Sequence, residues 1–337
     1  MKRVLFCFYP LYVKYNHGIA LLSALCKECG IDTRLEILSD LESFTAAIVN
    51  YDPDYVAFSA VVEQDYRELI KFALRAKALG QTTLLGGVYA RRGLPVDTLF
   101  DHVCRGEGET LPDYIINGDK ELFERPMFWP DLNALPLPDY ELFGDVPFDR
   151  GVPFLKDKKV LPYYSSRGCR NHCSFCLVRQ QTGKVRFRFK VKNDLKALAE
   201  KYGPDAFMIG DEQLPYFHPA WRESWGDFSY PFYAYIRADI KPTELDWLHE
   251  RGLIGCAFGI ESGDERHRND VLKKGVTDAQ IYATVERLNR LGIHYSPFYM
   301  MGTPGETFEI KNKTHGMAQM LGGYPIIFEY EELAKAR

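Results

Sequence analysis

Apolar positions along the first third of the chain alternate between two periods. Short runs at Val4–Tyr9, Thr33–Leu38, Tyr55–Ser59, Thr82–Leu85 and His102–Cys104 read as strands. Between them, Ile19–Cys29, Leu41–Tyr51 and Glu63–Leu79 carry apolar residues at helical spacing, with Gly30 and Gly80 placed where helices stop. This alternation predicts a doubly wound parallel sheet with helices on both faces. In such sheets ligands bind at the carboxyl ends of the strands. The loops to watch are therefore Tyr9-Pro10, Ser59-Ala60, Gly86-Gly87 and Gly106-Glu-Gly-Glu109.

The pattern breaks between about Arg125 and Leu161, where Pro126, Pro130, Pro136, Pro138, Pro147 and Pro153 interrupt every helical or strand register. The sequence thus predicts a first domain over 1–124, a Pro-rich connector over 125–160 and a second domain over 161–337. Strands are expected in the second domain at Leu161–Ser166, Ala206–Gly210, Phe232–Ile236, Ile254–Ile260, His294–Met300 and Ile326–Tyr330, with helices such as Asp194–Lys201, Pro242–Arg251 and Asp278–Leu291 between them. Six βα units suggest a partial (β/α)6 barrel, in which reactive groups gather at the C-terminal strand ends.

Composition narrows the class. Hydrophobic residues make up 46% of the 337 and charged ones 26%, as in soluble globular proteins. A formal net charge of −4 gives no whole-protein reason to expect nucleic-acid binding. No apolar run is long enough for a bilayer, and the run Val4–Tyr9 ends at Pro10 without a cleavage signal, so the cytoplasm is the expected compartment. The stretch Lys184–Lys192 alternates basic and apolar residues and reads first as a strand-like edge with one solvated face, second as an anion contact. Tyr216, Phe217, Trp221, Trp225, Tyr233 and Tyr235 read first as core and second as a substrate lining.

Of eight cysteines, three fall in Ser166-Arg-Gly-Cys169-Arg-Asn-His-Cys173-Ser-Phe-Cys176, just past the first strand of the second series. Without a secretory signal, thiolate chemistry is a better expectation than a disulfide framework. Three thiolates on one loop can reach three corners of a cubane iron–sulfur cluster and leave the fourth iron open. The alternative is structural zinc with His172 as fourth ligand, although zinc sites usually join two separated ligand pairs. Cys7, Cys104 and Cys256 lie in strand patterns and read as core, and Cys26 and Cys29 as residues of an amphipathic helix.

The spacing C-x-x-x-C-x-Φ-C, with Phe175 as the aromatic, resembles the signature loop of the radical S-adenosylmethionine (SAM) superfamily. Further segments are similar to that family's. Gly210-Asp211-Glu212 resembles the stretch that meets the methionine ammonium. Arg237 ends the third strand, and Gly259-Ile-Glu261-Ser-Gly263 resembles the segment near the nucleoside. Gly302-Thr-Pro304-Gly305-Glu306 resembles the Gly-x-Pro-Gly-Glu turn. The resemblance implies a [4Fe–4S] cluster on Cys169, Cys173 and Cys176, and SAM held by Phe175, Gly210, Asp211, Glu212, Arg237, Glu261, Gly302, Pro304 and Gly305. For Glu261 and Arg237 a salt bridge at a barrel rim is the competing reading, and for Gly302 and Gly305 a plain strand-ending turn.

The first domain resembles the cobalamin-binding domain that precedes the radical module in one branch of that superfamily. The carrying residues are His17-Gly-Ile-Ala-Leu-Leu22, Pro53-Asp-Tyr-Val56, Ser59, Gly86-Gly87, Arg105-Gly-Glu-Gly-Glu109 and the connector Leu135-Pro-Leu-Pro-Asp139. It implies cobalamin contacts from Tyr9, Pro10, His17, Gly18, Ser59, Gly86, Gly87, Gly106 and Glu107. The Asp-x-His-x-x-Gly motif for a cobalt-ligating histidine is absent. A cobalamin-type fold without its cofactor therefore stays open.

The resemblance implies a cobalamin-dependent methyltransferase acting on an unactivated carbon through a 5′-deoxyadenosyl radical. Its substrate would be a small molecule or peptide, and its partner an electron donor such as flavodoxin or ferredoxin. The alternatives are a radical SAM cyclisation, oxidation or rearrangement, with or without cobalamin, and a non-catalytic metal-binding module. Many enzymes of the branch continue past the sixth strand, so either a compact member or an open barrel mouth is expected.

Overall fold

A computed structural model of the chain describes residues 1–10, 16–61, 63–92, 98–125, 129–144, 153–176, 178 and 185–330. It forms two compact units, one built on residues 1–150 and the other on residues 151–335. Among the described residues no helix is long and apolar enough to cross a membrane.

The first unit carries five parallel strands, β1 (Arg3–Phe8), β2 (Asp32–Ile37), β3 (Tyr55–Ser59), β4 (Thr82–Gly86) and β5 (His102–Val103), in the order β2-β1-β3-β4-β5. Central β1 is apolar along its length because both of its faces are covered; Val4 to Phe8 are at most 2% exposed. Helices α1 (His17–Glu28), α2 (Leu41–Tyr51) and α3 (Glu63–Ala78) make the crossovers. α1 is capped by Asn16, whose side chain accepts from the Ile19 amide. α2 is capped by Asp40. Two short helices, α4 (Leu111–Asn117) and α5 (Lys120–Glu124), follow β5.

Part of the Pro-rich segment is folded onto this unit rather than strung out as a connector. Leu132 and Leu135 pack against Leu21 of α1, and the Asp139 amide donates to the Ala20 carbonyl. The buried Asp139 carboxylate accepts from Ser23 Oγ at 2.6 Å and pairs with Lys27 Nζ at 2.7 Å. The prolines block regular structure, as expected, but the apolar side chains between them still find a core. Its residues 126–128 and 145–152 lie outside the described residues.

The second unit is a six-stranded parallel sheet: β6 (Val160–Tyr163), β9 (Ala206–Ile209), β10 (Phe232–Tyr235), β11 (Leu253–Glu261), β12 (His294–Met301) and β13 (Ile326–Glu329), paired in chain order with β6 and β13 at its edges. That sequential, open order is a partial (β/α) barrel. Helices α6 (Val191–Tyr202), α7 (Pro219–Trp225), α8 (Pro242–Glu250), α9 (Asp278–Leu291) and α10 (Phe308–Leu321) join the strands. Tyr216, Trp221, Trp225 and Tyr233 are all at most 3% exposed, which makes them core.

Two stretches differ from the sequence expectation. The first strand of the second series stops at Tyr163. Ser166–Arg167 leave the sheet as β7 and pair antiparallel with Arg186–Phe187, β8. Ser165 and Ser166 are held by the buried Asp211 carboxylate, which bends the chain out of the sheet. The basic stretch is not one solvated strand either. Arg188 is buried against Asp194, Phe187 packs against the His218 ring at a tilt, and α6 begins at Val191. Lys184 lies outside the described residues.

Candidate cluster loop and cofactor sites

The loop from Gly168 to Cys176 springs from β7, just beyond the C-terminal end of β6. Gly168 has φ +93, a left-handed turn, and its amide donates to Glu212 Oε2 at 3.1 Å. Within the loop, the Cys176 amide donates to the Cys173 carbonyl. Across from it, Leu272 O accepts from the Ser174 amide at 3.0 Å and Val271 O from Ser174 Oγ at 2.9 Å. Cys169, Cys173 and Cys176 are in no disulfide, Cys173 buried and the other two half-buried. Cys256, the other cysteine of the unit, is buried inside β11, where burial alone pushes its thiol far above the ordinary range.

Among the described residues no three His, Cys, Asp or Glu side chains converge on a single-ion position. A cubane takes one thiolate per iron at separate corners, so its ligands stand farther apart than those of one zinc ion. Three cysteines on one loop, none in a disulfide, fit three corners of a cubane. His172, the zinc alternative's fourth ligand, is exposed.

The residues expected around SAM divide into two groups. Asp211 is fully buried, and its carboxylate accepts from the Ser165 amide (2.7 Å) and the hydroxyls of Ser165 (2.5 Å) and Ser166 (2.8 Å). Burial pushes its pKa up to about 7, against the pull of those serine bonds. Asp211 therefore builds the turn, while its neighbour Glu212 is exposed beside the cluster loop. Gly210 lies under the Tyr164 ring; a Cβ there would come within 2.5 Å of the ring.

Glu261 and Arg237 are both in ion pairs at the strand ends. Glu261 Oε1 meets Lys274 Nζ at 2.7 Å, and Arg237 Nε meets Asp239 Oδ1 at 2.9 Å. Burial opposes the charge of Arg237, and Asp239 and then the nearby Cys173 favour it. Glu261 sits at φ +72 where the β11–β12 register shifts, a conformation that costs a non-glycine residue about 1–3 kcal/mol. Lys274 is central here: its Nζ also lies 5.8 Å from the Phe175 ring centre, and its carbonyl accepts from Arg237 Nη2 at 2.8 Å. Gly302 (φ +76) and Gly305 (φ +73) form an open turn with Pro304 exposed, and the Gly302 amide is capped by Glu306.

Sequence reasoning did not single out Lys274, Ser165, Ser166, Asn171 or Gln213. Asn171 Nδ2 donates to Cys169 Sγ at 3.3 Å and to Gln213 Oε1 at 2.7 Å. Gln213 follows the Gly-Asp-Glu stretch directly, and Lys274 precedes Gly275; neither carries a spacing signal that would have marked it.

In the first unit the strand order reverses between β1 and β3, the switch point where open α/β sheets bind ligands. Tyr9 and Pro10 follow β1, Ser59 ends β3, and Asn16 Nδ2 donates to Ser59 Oγ at 2.9 Å, which ties the start of α1, with His17 and Gly18, to the same crevice. Gly86 has only Cys104 Cβ, at 4.0 Å, near a notional side chain, so backbone there is open to approach. Gly87 (φ +96) has a structural reason of its own, since a Cβ would lie 2.3 Å from Ala60 O. Gly106 is half-buried and Glu107 buried after β5, and Thr110 Oγ1 nearby is buried without a hydrogen-bond partner. These features fit a flat corrin resting on loop backbone. His17 Nδ1 bonds Tyr140 OH at 2.8 Å, and His102 Nδ1 bonds Glu124 at 3.2 Å.

Residues 163–313 match the radical SAM superfamily. The chain is 25% identical over 185 residues to cytidylyl-2-hydroxyethylphosphonate methyltransferase of Streptomyces wedmorensis, covering 50% of this chain and 35% of that protein. It is 26% identical to an uncharacterized methyltransferase of Pyrococcus horikoshii, covering 92% of this chain and 71% of that one. The chain thus spans only about a third of the length of the first of these relatives. Among solved structures it superposes on the radical SAM methyltransferase TsrM from Kitasatospora setae, with cobalamin and a [4Fe–4S] cluster bound, at a TM-score of 0.77 and 15% identity, covering 98% of this chain and 75% of TsrM. That likeness is one of fold, and it spans both units. The three cysteines lie near the head of the segment that matches the radical SAM superfamily.

Proposed function

We propose that the chain is a cobalamin-dependent radical SAM methyltransferase, acting on an unactivated carbon of a small-molecule or peptide substrate. The observation that carries this reading is the loop of three cysteines, none in a disulfide, past the end of the first barrel strand, flanked by the exposed Glu212 and the Arg237–Asp239 and Lys274–Glu261 pairs. The corrin part rests on the switch-point crevice of the first unit, the cobalamin-bound TsrM fold and the methyltransferase relatives. When bound, the cluster supplies the electron that cleaves a carbon–sulfur bond of SAM, and the corrin supplies a methyl carrier.

The chain's own residues then have separable tasks. Cys169, Cys173 and Cys176 hold three irons. Glu212 accepts from an N–H of the SAM amino group, and its own carboxylate charge makes that bond roughly twice as strong as a neutral one. Arg237 faces the carboxylate while Asp239 fixes its guanidinium plane. Glu261, held by Lys274, accepts from the ribose hydroxyls, and the open Gly302–Gly305 turn leaves room for the adenine. The electron comes from a donor of the flavodoxin or ferredoxin kind.

Metal and corrin analysis of anaerobically purified, iron- and sulfide-reconstituted protein tests this. Four irons per chain and stoichiometric corrin are expected. Zinc without iron would overturn the whole reading, and iron without corrin would overturn its cobalamin part.

A further inference from the structure

The amide beside Cys169 has no task in the scheme above. We propose that Asn171 sets the reduction potential of the cluster by donating a hydrogen bond to the Cys169 sulfur, with Gln213 as the positioning residue that aims it; this rests on the cluster assignment just made. Asn171 Nδ2 lies 3.3 Å from Cys169 Sγ and 2.7 Å from Gln213 Oε1, so its two N–H bonds are divided between the sulfur and the amide oxygen. Gln213 is 4% exposed and lies two residues past Asp211, whose carboxylate is itself held by Ser165. The Asn171 amide therefore cannot rotate freely: turning its oxygen to the sulfur would set that oxygen against a thiolate and leave Gln213 Oε1 without its donor.

Iron ligation removes the Cys169 S–H proton that otherwise reaches Gln213 Oε1 at 3.5 Å. Asn171 is then the donor to both acceptors. A cluster thiolate gains negative charge on one-electron reduction, so a bond donated to it is stronger in the reduced state. Hydrogen bonds to sulfur are one of the levers that set the potential of such clusters. The bond makes the cluster easier to reduce by a donor of limited strength, and its removal moves the potential to more negative values.

The test is an EPR-monitored redox titration of the reconstituted full chain, native against Asn171→Leu, which keeps the size but not the donor. The expected result is an unchanged iron content with a three- to tenfold lower ratio of reduced to oxidised cluster at a fixed potential, a tenfold change being about 59 mV for a one-electron couple. Gln213→Leu should shift the ratio in the same direction and by less. An unchanged ratio in Asn171→Leu overturns the proposal, and so does an unchanged ratio in Gln213→Leu should Asn171→Leu not retain iron. Loss of the cluster from both variants also overturns it, because the pair would then serve loop folding and not the sulfur. Absence of a cluster from the native chain is a different failure, that of the cluster assignment itself.

Discussion

The two units present candidate ligand sites in opposite ways. In the first, most residues at the strand ends are already engaged by the fold: Asn16 bonds Ser59, His17 bonds Tyr140, and Gly87 exists for the close approach of Ala60. In the second, three cysteines outside any disulfide stand on one loop. A cluster ligand must be a particular element at a particular spacing, so it leaves a mark in sequence. A corrin held by backbone and apolar contact leaves almost none, because the same loops would be needed to build an empty sheet.

The largest effect should come from Cys173→Ala. Loss of one of three thiolates should bring iron content close to background and abolish reductive SAM cleavage, measured as 5′-deoxyadenosine formed, while corrin content stays unchanged. Retained cleavage would disprove the ligand assignment, and lost corrin would blur the division of labour between the units.

Asp211 provides a second contrast. Its pKa is raised from an ordinary 3.8 to about 7 by burial, opposed by Ser165 and Ser166. A raised folded-state pKa means that the native state keeps a proton the unfolded state has released. Stability should therefore be highest below pH 4 as far as this group is concerned, and fall as pH rises through 7, by on the order of 4 kcal/mol. Denaturant titrations across that range should show the slope in the native chain and lose it in Asp211→Asn. An identical slope in the variant would remove Asp211 from the account.

A smaller effect is expected from Gly87→Ala in the first unit, where φ +96 and Ala60 O at 2.3 Å leave no room for a Cβ. Stability should fall by about 2 kcal/mol with iron content unchanged. The smallest is Glu212→Gln, which should weaken SAM binding about tenfold by removing a charged acceptor. Equal weakening by Asp211→Asn would contradict the separation of Asp211 as turn-builder from Glu212 as ligand.

Much of the fold was legible because central strands such as β1 are continuously apolar and the helices carry clean stops at Gly30 and Gly80. What escaped was tertiary in origin. The chain leaves the sheet after Tyr163 because Asp211, 46 residues downstream of Ser165, captures the serines, and no local pattern reveals that. The Pro-rich segment packs on α1 through Leu132, Leu135 and Asp139, although its prolines read as a linker. In the site, the cysteine spacing and the Gly-rich turn were visible, whereas Lys274 and Gln213 are ordinary residues given importance by the side chains they meet.

In the proposed site Cys169, Cys173 and Cys176 hold a cluster with one iron open to SAM. EPR spectra of the dithionite-reduced, reconstituted chain with and without SAM test it most directly. Coordination of the amine and carboxylate at the open iron predicts a clear change in g values on adding SAM, lost in Cys173→Ala. Superimposable spectra from a fully loaded cluster would contradict it.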